Sequence, residues 1–542
     1  MLWLLGCPDE APTETGASPN DTGRDTGTTE TGDSGRDEWI FDPADIVEAV
    51  ESDLAANMAS GAQVAIWLDG AVIYSQGFGT RHPETDEPVA TTTLFQIGSD
   101  TKKMTAAALL QAESRGDIQL DAGIASLGFD LSATPDWADG ATIRDLLSHQ
   151  GGLYDYTPWS DRPDDAYLAE HGHGDFESRE WAQAPAGAMW NYSNANFSLA
   201  GLLHEDHDDR AWGDILEDDL LVPLGLDRSY ARKSAVEADG DYATGYGLIL
   251  GDYDAFDPWA DVPYEIGVVE MSEEADNAFT RPAGLVWSTA EQMVRYGAFL
   301  IDGNAAVLDA SVHDQLTTPL VRLYPQIDTQ HYALGLMVLD GFQLGRKYYE
   351  TPLWVHGGNT MAFTSNFYVL PEQRVVVSVL SNGYGDDFDD TVVAAIKSLD
   401  VLPDAGDVSW PGTETDHAAL IGTYIEPILG EIVVSDTDGA LGVSIPGLTE
   451  RGYEVTPELI YAGVTDIYYV EIDNYAWEFS FIQDEVGVYR YVRDRKFVGT
   501  RQEGLAATGS PTGIVHTPGG LSPAMIDDVL SRAPWPVFGS HH

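Results

Sequence analysis

The strongest constraint on the fold is a pair of hairpin patterns separated by most of a domain's length. Residues 62–79, AQVAIWLDGAVIYSQGFG, carry apolar residues in alternation on both sides of Asp69-Gly70, a dipeptide suited to a two-residue turn. Residues 362–382, AFTSNFYVLPEQRVVVSVLSN, repeat that design around Pro371-Glu372. Between them run helical periodicities, including the alanine-rich stretch from Ser99 and AEQMVRYGAFLIDG from Ala290. Each strand needs a neighbour to bury its apolar face. The pattern therefore predicts an α/β (α+β) domain in which one antiparallel sheet is assembled from both ends and flanked by helices, with the middle of the chain forming a helical subdomain.

Past VLPDAGDVSWPG (401–412) the character changes. From about Leu420 short strand-like runs follow closely on one another: EIVVSD, ALGVSI, ELIYAG, DIYYVEI, WEFSFIQ and VYRYVRD. Such spacing predicts a small antiparallel β-barrel or sandwich over 412–503, distinct from a domain over 38–402. Residues 504–542 form a Gly/Pro-rich extension with one short helical signal, SPAMIDDVLSRA, capped by Ser522 with Pro523 at its first position. Within residues 1–37, a possible lipoprotein signal remnant is followed from Pro8 to about Asp37 by Thr, Asp, Gly, Ser and Glu that bury too little apolar surface to order, so a disordered acidic linker is expected there.

Charge narrows the partners. The 542 residues hold Lys+Arg 27 against Asp+Glu 89, a formal charge of −62. That field repels phosphate backbones, so no nucleic acid is expected, and it repels anionic lipid unless the protein is tethered. An Asp-rich surface also suits high salt, where screening weakens self-repulsion. Cys7 is the single cysteine, so no disulfide can form within the chain. The opening MLWLLGC resembles a lipoprotein signal remnant, although the basic segment that normally precedes it is missing. Cys7 is thus a candidate for lipidation in an exported protein, periplasmic or extracellular, against the alternative of a chance cysteine near a terminus.

Lysine occurs only at positions 102, 103, 233, 347, 397 and 496, and two of these open the alanine-rich helix just behind Ser99. A serine and a lysine three apart share one helix face. At a helix start the serine also meets unpaired N–H groups and a favourable dipole. Ser99 Oγ with a neutral Lys102 as proton acceptor is a workable nucleophile and base. An unperturbed lysine costs about 4.6 kcal/mol to neutralise at pH 7, so burial or positive neighbours must lower its pKa. A capping serine beside a surface lysine explains the pair equally well in isolation.

Two further stretches accompany it. PAGAMWNYSNANFSLAG holds Tyr192 and Asn194 in a Y-x-N arrangement, and WVHGGNTMAFTSNF places His356-Gly357-Gly358 on a strand leading into the second hairpin. In this order the three elements resemble the active-site motifs of the serine β-lactamase and penicillin-binding-protein superfamily. IRDLLSHQGGL (143–153), VPLGLDRS (222–229), AGLVWSTAEQM (283–293) and HYALGLMV (331–338) are similar to stretches of its class C β-lactamase-like branch, which includes D-alanyl-D-alanine carboxypeptidases, D-aminopeptidases and carboxylesterases. The likeness spans roughly residues 45–400 and implies a β-lactamase/transpeptidase-like fold. The C-terminal barrel resembles the lipocalin-like domains appended to many such hydrolases.

The resemblance implies roles. Ser99 would be acylated, Lys102 and Tyr192 would share the proton traffic, and Asn194 would orient the lysine or a substrate amide. His356 stands where many β-lactamases have the lysine of a Lys-Thr-Gly triplet. Gly357 and Gly358 would leave room for substrate along the strand, and the backbone N–H groups of Ser99 and Asn359 would form the oxyanion hole. Residues Asn359 to Ala362 depart from the Gly/Pro-rich continuation usual in relatives. No cofactor is implied.

Other readings stay beside these. Tyr192 could be a core aromatic, His356 a hydrogen-bonded strand residue, and His149 is better read as a structural loop histidine. HGHGD (171–175) and HEDHDD (204–209) suit an acidic solvated surface better than a metal site, and DTDG (436–439) suits a hairpin turn better than a calcium loop. A histidine in place of the triplet lysine supplies charge only when protonated. Small D-amino-acid-containing peptides or short esters therefore rank above β-lactams as substrates. The alternatives are a β-lactamase, a non-catalytic binder of peptidoglycan fragments, or a barrel that itself binds an apolar ligand. The oligomeric state is not legible.

Overall fold

The computed structural model describes residues 43–502 except 130–139, 177–180, 251–263, 272–275, 345–346, 408–411 and 474. The acidic linker, Cys7 and the helix expected after Ser522 lie outside the described residues.

Both hairpins belong to one sheet. Strands β1 (Gly61–Leu68) and β2 (Ala71–Gly79) turn through Asp69 and Gly70, whose φ values of 40° and 104° fit the primed turns that match strand twist. The segment between the hairpins is not wholly helical, as the periodicities suggested. To this sheet it supplies three short strands, β3 (Val321–Arg322), β4 (Gln330–Tyr332) and β5 (Met337–Leu339), before β6 (Leu353–Asn359), β7 (Thr364–Leu370) and β8 (Val375–Ser381). Pieces of two or three residues are too short to show an alternation. The antiparallel order is β2-β1-β8-β7-β6-β5-β4-β3, and β1 pairs with β8 from Ala62–Ser381 to Leu68–Val375.

Strands β7 and β8 are buried along their whole length, because helices cover both faces of the sheet. On one face Val64, Ile66 and Val377 join Ile46 and Val50 of helix α1 (Ala44–Ala56). On the other, Ala65 and Val376 belong to the core that holds helix α2 (Thr101–Arg115). Residues 101–112 of α2 are all buried, so the helix is enclosed on every side, and its alanines keep it thin enough to fit. Helix α3 (Asn194–Asp208) stands in the helical region beyond, α4 (Ala290–Asp302) joins α2's side, and α5 (Asp389–Lys397) packs beside α1. Among the described residues no helix is long and apolar enough to cross a membrane.

The C-terminal strands form a nearly closed antiparallel barrel. They are β9 (Gly422–Glu426), β10 (Gly430–Thr437), β11 (Ala440–Ser444), β12 (Ile460–Tyr461), β13 (Ile467–Ile472), β14 (Tyr475–Gln483), β15 (Tyr489–Arg493) and β16 (Val498–Arg501). Their order is β11-β10-β9-β16-β15-β14-β13-β12. The edges approach where Val443 N donates to Pro457 O (3.0 Å) and Leu459 N to Leu441 O (2.8 Å). Tyr424, Tyr468, Phe479, Phe481 and Phe497 fill the interior, and the DTDG segment is the β10–β11 hairpin turn.

Candidate active site

Ser99 sits on a 3₁₀ turn, Gly98–Asp100, that feeds directly into α2. The turn lies against β6 so closely that only glycine fits on either side. Gly98 has φ 51°, and a Cβ there would stand 2.6 Å from Asn359 N. A Cβ on Gly358 would stand 2.1 Å from Ile97 O and 2.7 Å from Ser99 N. Gly358 therefore serves close backbone approach between the Ser99 turn and β6.

Lys102 follows one turn later with its side chain fully buried. Its Nζ is 3.0 Å from Ser99 Oγ and 2.7 Å from both Asn194 Oδ1 and Ala283 O. Tyr192 Oη donates to the same Ser99 Oγ at 2.7 Å. Two side chains, Lys102 from the next turn and Tyr192 from a distant part of the chain, thus converge on one hydroxyl. The segment Asn191–Asn194 is held by the loop before it: Asn191 N donates to His149 O (2.8 Å), Ser193 N to His149 Nδ1 (3.1 Å), and Ser193 Oγ to Tyr154 O (2.8 Å). His149 itself takes the left-handed conformation, φ 57°, and its buried ring lies 4.2 Å from that of Tyr192.

Burial sets the protonation states. It carries the Lys102 ammonium well below its ordinary range, opposed by the Asp155 carboxylate and assisted by the Arg495 guanidinium. It pushes the Tyr192 phenol up, so that hydroxyl stays protonated at neutral pH. His149 and His356 are both held well below the usual histidine range by burial and are neutral.

His356 lies on β6 and is 1% exposed. Its Nδ1 is 2.7 Å from the Gly357 carbonyl, which only accepts, so Nδ1 carries the proton and Nε2 receives the Tyr332 hydroxyl at 3.1 Å. The residue offers no permanent charge on the strand. Gly357 and Gly358 continue β6 opposite Asn366 and Ser365 of β7. Of the two histidine clusters, His173 Nε2 meets Asp206 Oδ2 at 3.0 Å on the surface, and no group of three His, Cys, Asp or Glu among the described residues is placed to hold an ion.

Three neighbours escape sequence reasoning. Tyr332 partners His356, Asp155 accepts from Asn194 N (2.8 Å) and Nδ2 (3.0 Å), and Arg495 of the barrel pairs with Asp155. Tyr332 and Asp155 do lie inside or beside motif stretches, in HYALGLMV and just after LLSHQGGL. Arg495 carries no such mark.

Comparison with known proteins identifies the family and the fold. Residues 47–399 match the family model described as Beta-lactamase. Penicillin-binding protein 4 of Amycolatopsis lactamdurans is 26% identical over 351 residues, which cover 63% of this chain and 86% of that protein. A D-aminopeptidase of Gluconobacter oxydans (strain 621H) is 26% identical over 430 residues, 76% of this chain and 71% of its own. Among solved structures, SurE superposes with a TM-score of 0.61 at 19% identity, covering 85% of this chain and 99% of its own. A class C beta-lactamase gives 0.52 at 18% identity, covering 67% and 96%. These structural likenesses speak to the fold.

Proposed function

The chain belongs to the beta-lactamase family and is a serine hydrolase, and from that premise we propose that it works through an acyl-enzyme at Ser99, with Lys102 as the base. The observation that carries this reading is the set of three contacts at Lys102 Nζ. Asn194 Oδ1 and Ala283 O can only accept, so they consume the two N–H bonds of a neutral amine. Its lone pair then faces Ser99 Oγ, 3.0 Å away. Ser99 gives its proton to Lys102 as Oγ attacks a carbonyl carbon; the Tyr192 hydroxyl, already on Oγ, then passes its proton to the leaving group and takes the one held by Lys102, so that both groups end the acylation neutral. The Ser99 and Asn359 amides would receive the charge on the carbonyl oxygen.

Substrate class follows from what β6 lacks. A neutral, hydrogen-bonded His356 presents no cation for a β-lactam carboxylate or a D-Ala terminus. That favours small peptides with D-residues cleaved from the amino end, or short esters, in keeping with the relative named D-aminopeptidase. Intact-mass spectrometry after a fluorophosphonate probe is the test. The native chain should gain one phosphonyl group and Ser99→Ala none. D-alanine p-nitroanilide or nitrophenyl acetate should then turn over faster than nitrocefin. A folded native chain that takes no label would move the reading to a non-catalytic binder of peptidoglycan fragments, and faster nitrocefin turnover to a β-lactamase.

A further inference from the structure

The barrel reaches the catalytic residues through one side chain. Between β15 and β16 the chain turns over Asp494–Phe497, closed by Asp494 N to Phe497 O (3.0 Å) and Lys496 N to Asp494 Oδ1 (2.9 Å). Arg495 projects from this turn. Its Nε and Nη2 stand 2.7 and 2.6 Å from Asp155 Oδ2, and its guanidinium carbon lies 4.5 Å from the centroid of the Tyr192 ring. The turn is anchored beside the same segment: Asn191 Nδ2 donates to Arg495 O (3.3 Å), and Arg493 Nη1 donates to Trp190 O (2.5 Å).

The other oxygen of Asp155 completes a chain of contacts. Oδ1 accepts from Asn194 N and Nδ2, and a carboxylate cannot donate. The Asn194 amide must therefore turn its nitrogen to Asp155 and its oxygen to Lys102, at 2.7 Å. The orientation that leaves the Lys102 lone pair on Ser99 is fixed two residues away, by a carboxylate that the barrel's arginine holds.

We propose that Arg495 is a positioning residue of the hydrolase site, acting through Asp155 and Asn194 on Lys102 and over the ring of Tyr192, so that the barrel supplies part of the catalytic electrostatics. The inference rests on the Ser99 acyl-enzyme reading. The groups facing Lys102 are Asp100, His149, Asp155, Tyr192, His356 and Arg495. Both histidines are neutral and Asp100 is engaged by Lys103, which leaves Asp155 and Arg495 as the adjustable charges. The plain alternative is an inter-domain salt bridge with no consequence for chemistry. The pair is part-buried, with Arg495 28% and Asp155 12% exposed, so stability alone does not separate the two readings.

The pH dependence of fluorophosphonate labelling separates the two. In the full-length chain the rate should rise with pH through the Lys102 midpoint. Arg495→Gln removes a positive charge and leaves Asp155 unpaired, so the midpoint should move up by about one pH unit, with a loss of up to about 10-fold at pH values below the native midpoint. Asp155→Asn removes the negative charge and should move it down. Arg495→Lys keeps the charge and should hold the native midpoint. Slower labelling by Arg495→Gln and Asp155→Asn with unmoved midpoints, or a native rate in Arg495→Gln, overturns the proposal. Should Arg495→Gln fail to fold by circular dichroism, the Asp155→Asn shift set against Arg495→Lys decides the matter. A native chain unlabelled at Ser99 would instead remove the acyl-enzyme reading itself.

Discussion

Lys102 and Lys103 follow one another on α2 with side chains 0% and 1% exposed, and they meet different neighbours. Lys103 Nζ is paired with the Asp100 carboxylate and lies 3.9 Å from the centroid of the Phe367 ring. Asp100 in turn has Ser365 Oγ 2.6 Å from its other oxygen, so the pair ties α2 to β7. The hydrogen-bond partners of Lys102 are neutral oxygens, and its Nζ lies 4.9 Å from the centroid of the Tyr192 ring. Burial lowers both pKa values, but Asp100 limits the fall of Lys103 to about 8, whereas Lys102 goes well below its ordinary range. Desolvation by itself does not make a base. The partner decides whether a buried amine holds structure or accepts protons.

Exchanging each amine for a thioether tests the contrast most severely. Lys102→Met should lower Ser99 labelling by at least about 1,000-fold at the smaller stability cost of about 1–3 kcal/mol, since Asn194 Oδ1 and Ala283 O lose a donor but no charge is stranded. Lys103→Met strands Asp100 and should cost about 3–5 kcal/mol in urea unfolding, with labelling kept by the molecules that remain folded. Adding Asp100→Asn should recover most of that loss. If both single variants lose activity and stability together, the division of labour between the lysines is wrong.

A middling effect is expected at Gly358. Gly358→Ala puts a methyl group against Ile97 O and Ser99 N and should widen the gap between turn and strand. Labelling should slow by roughly 100-fold with an unmoved pH midpoint, because the oxyanion geometry changes and Lys102 does not.

Asp53 extends the comparison to a carboxyl. It accepts from Thr391 N (2.9 Å) and Thr391 Oγ1 (2.6 Å), yet burial pushes it up to about 6. Its folded pKa exceeds the unfolded value of 3.8, so the folded state holds the proton more tightly. Stability should fall as pH rises from about 4 to about 6, by on the order of 2 kcal/mol, and Asp53→Asn should flatten that slope in scanning calorimetry. The smallest effect belongs to the surface. With a formal charge of −62, thermal stability should climb modestly on going to molar salt, where the screening length falls to about 3 Å.

How far the sequence foretells this molecule depends on range. The hairpins at Asp69-Gly70 and Pro371-Glu372 are legible because alternation and turn chemistry are local. The strands from EIVVSD to VYRYVRD are visible for the same reason, while Gly422–Glu426 and Val498–Arg501, the first and last barrel strands along the chain, go unmarked. Ser99, Lys102 and Tyr192 stand out through motif spacing. Asp155 does not, being one acidic residue among the 89 Asp and Glu. Arg495 lies in a barrel turn, and nothing local records that the turn folds back on Tyr192. The protonation state of His356 is likewise set by enclosure, which only the assembled sheet supplies.

The pairing of β1 with β8 also governs how the chain is made. Gly61–Leu68 finds one of its two sheet neighbours at once, in the hairpin with β2, but the other, Val375–Ser381, comes roughly three hundred residues later. At ordinary synthesis rates that is an interval of roughly 15–60 s during which one rim of β1 has no mate and α2 has no sheet to lie against. Such late, long-range closure makes for slow folding, and the nascent chain passes through it with apolar strands uncovered. The ribosome-bound fragment is then the form of this protein most in need of a chaperone.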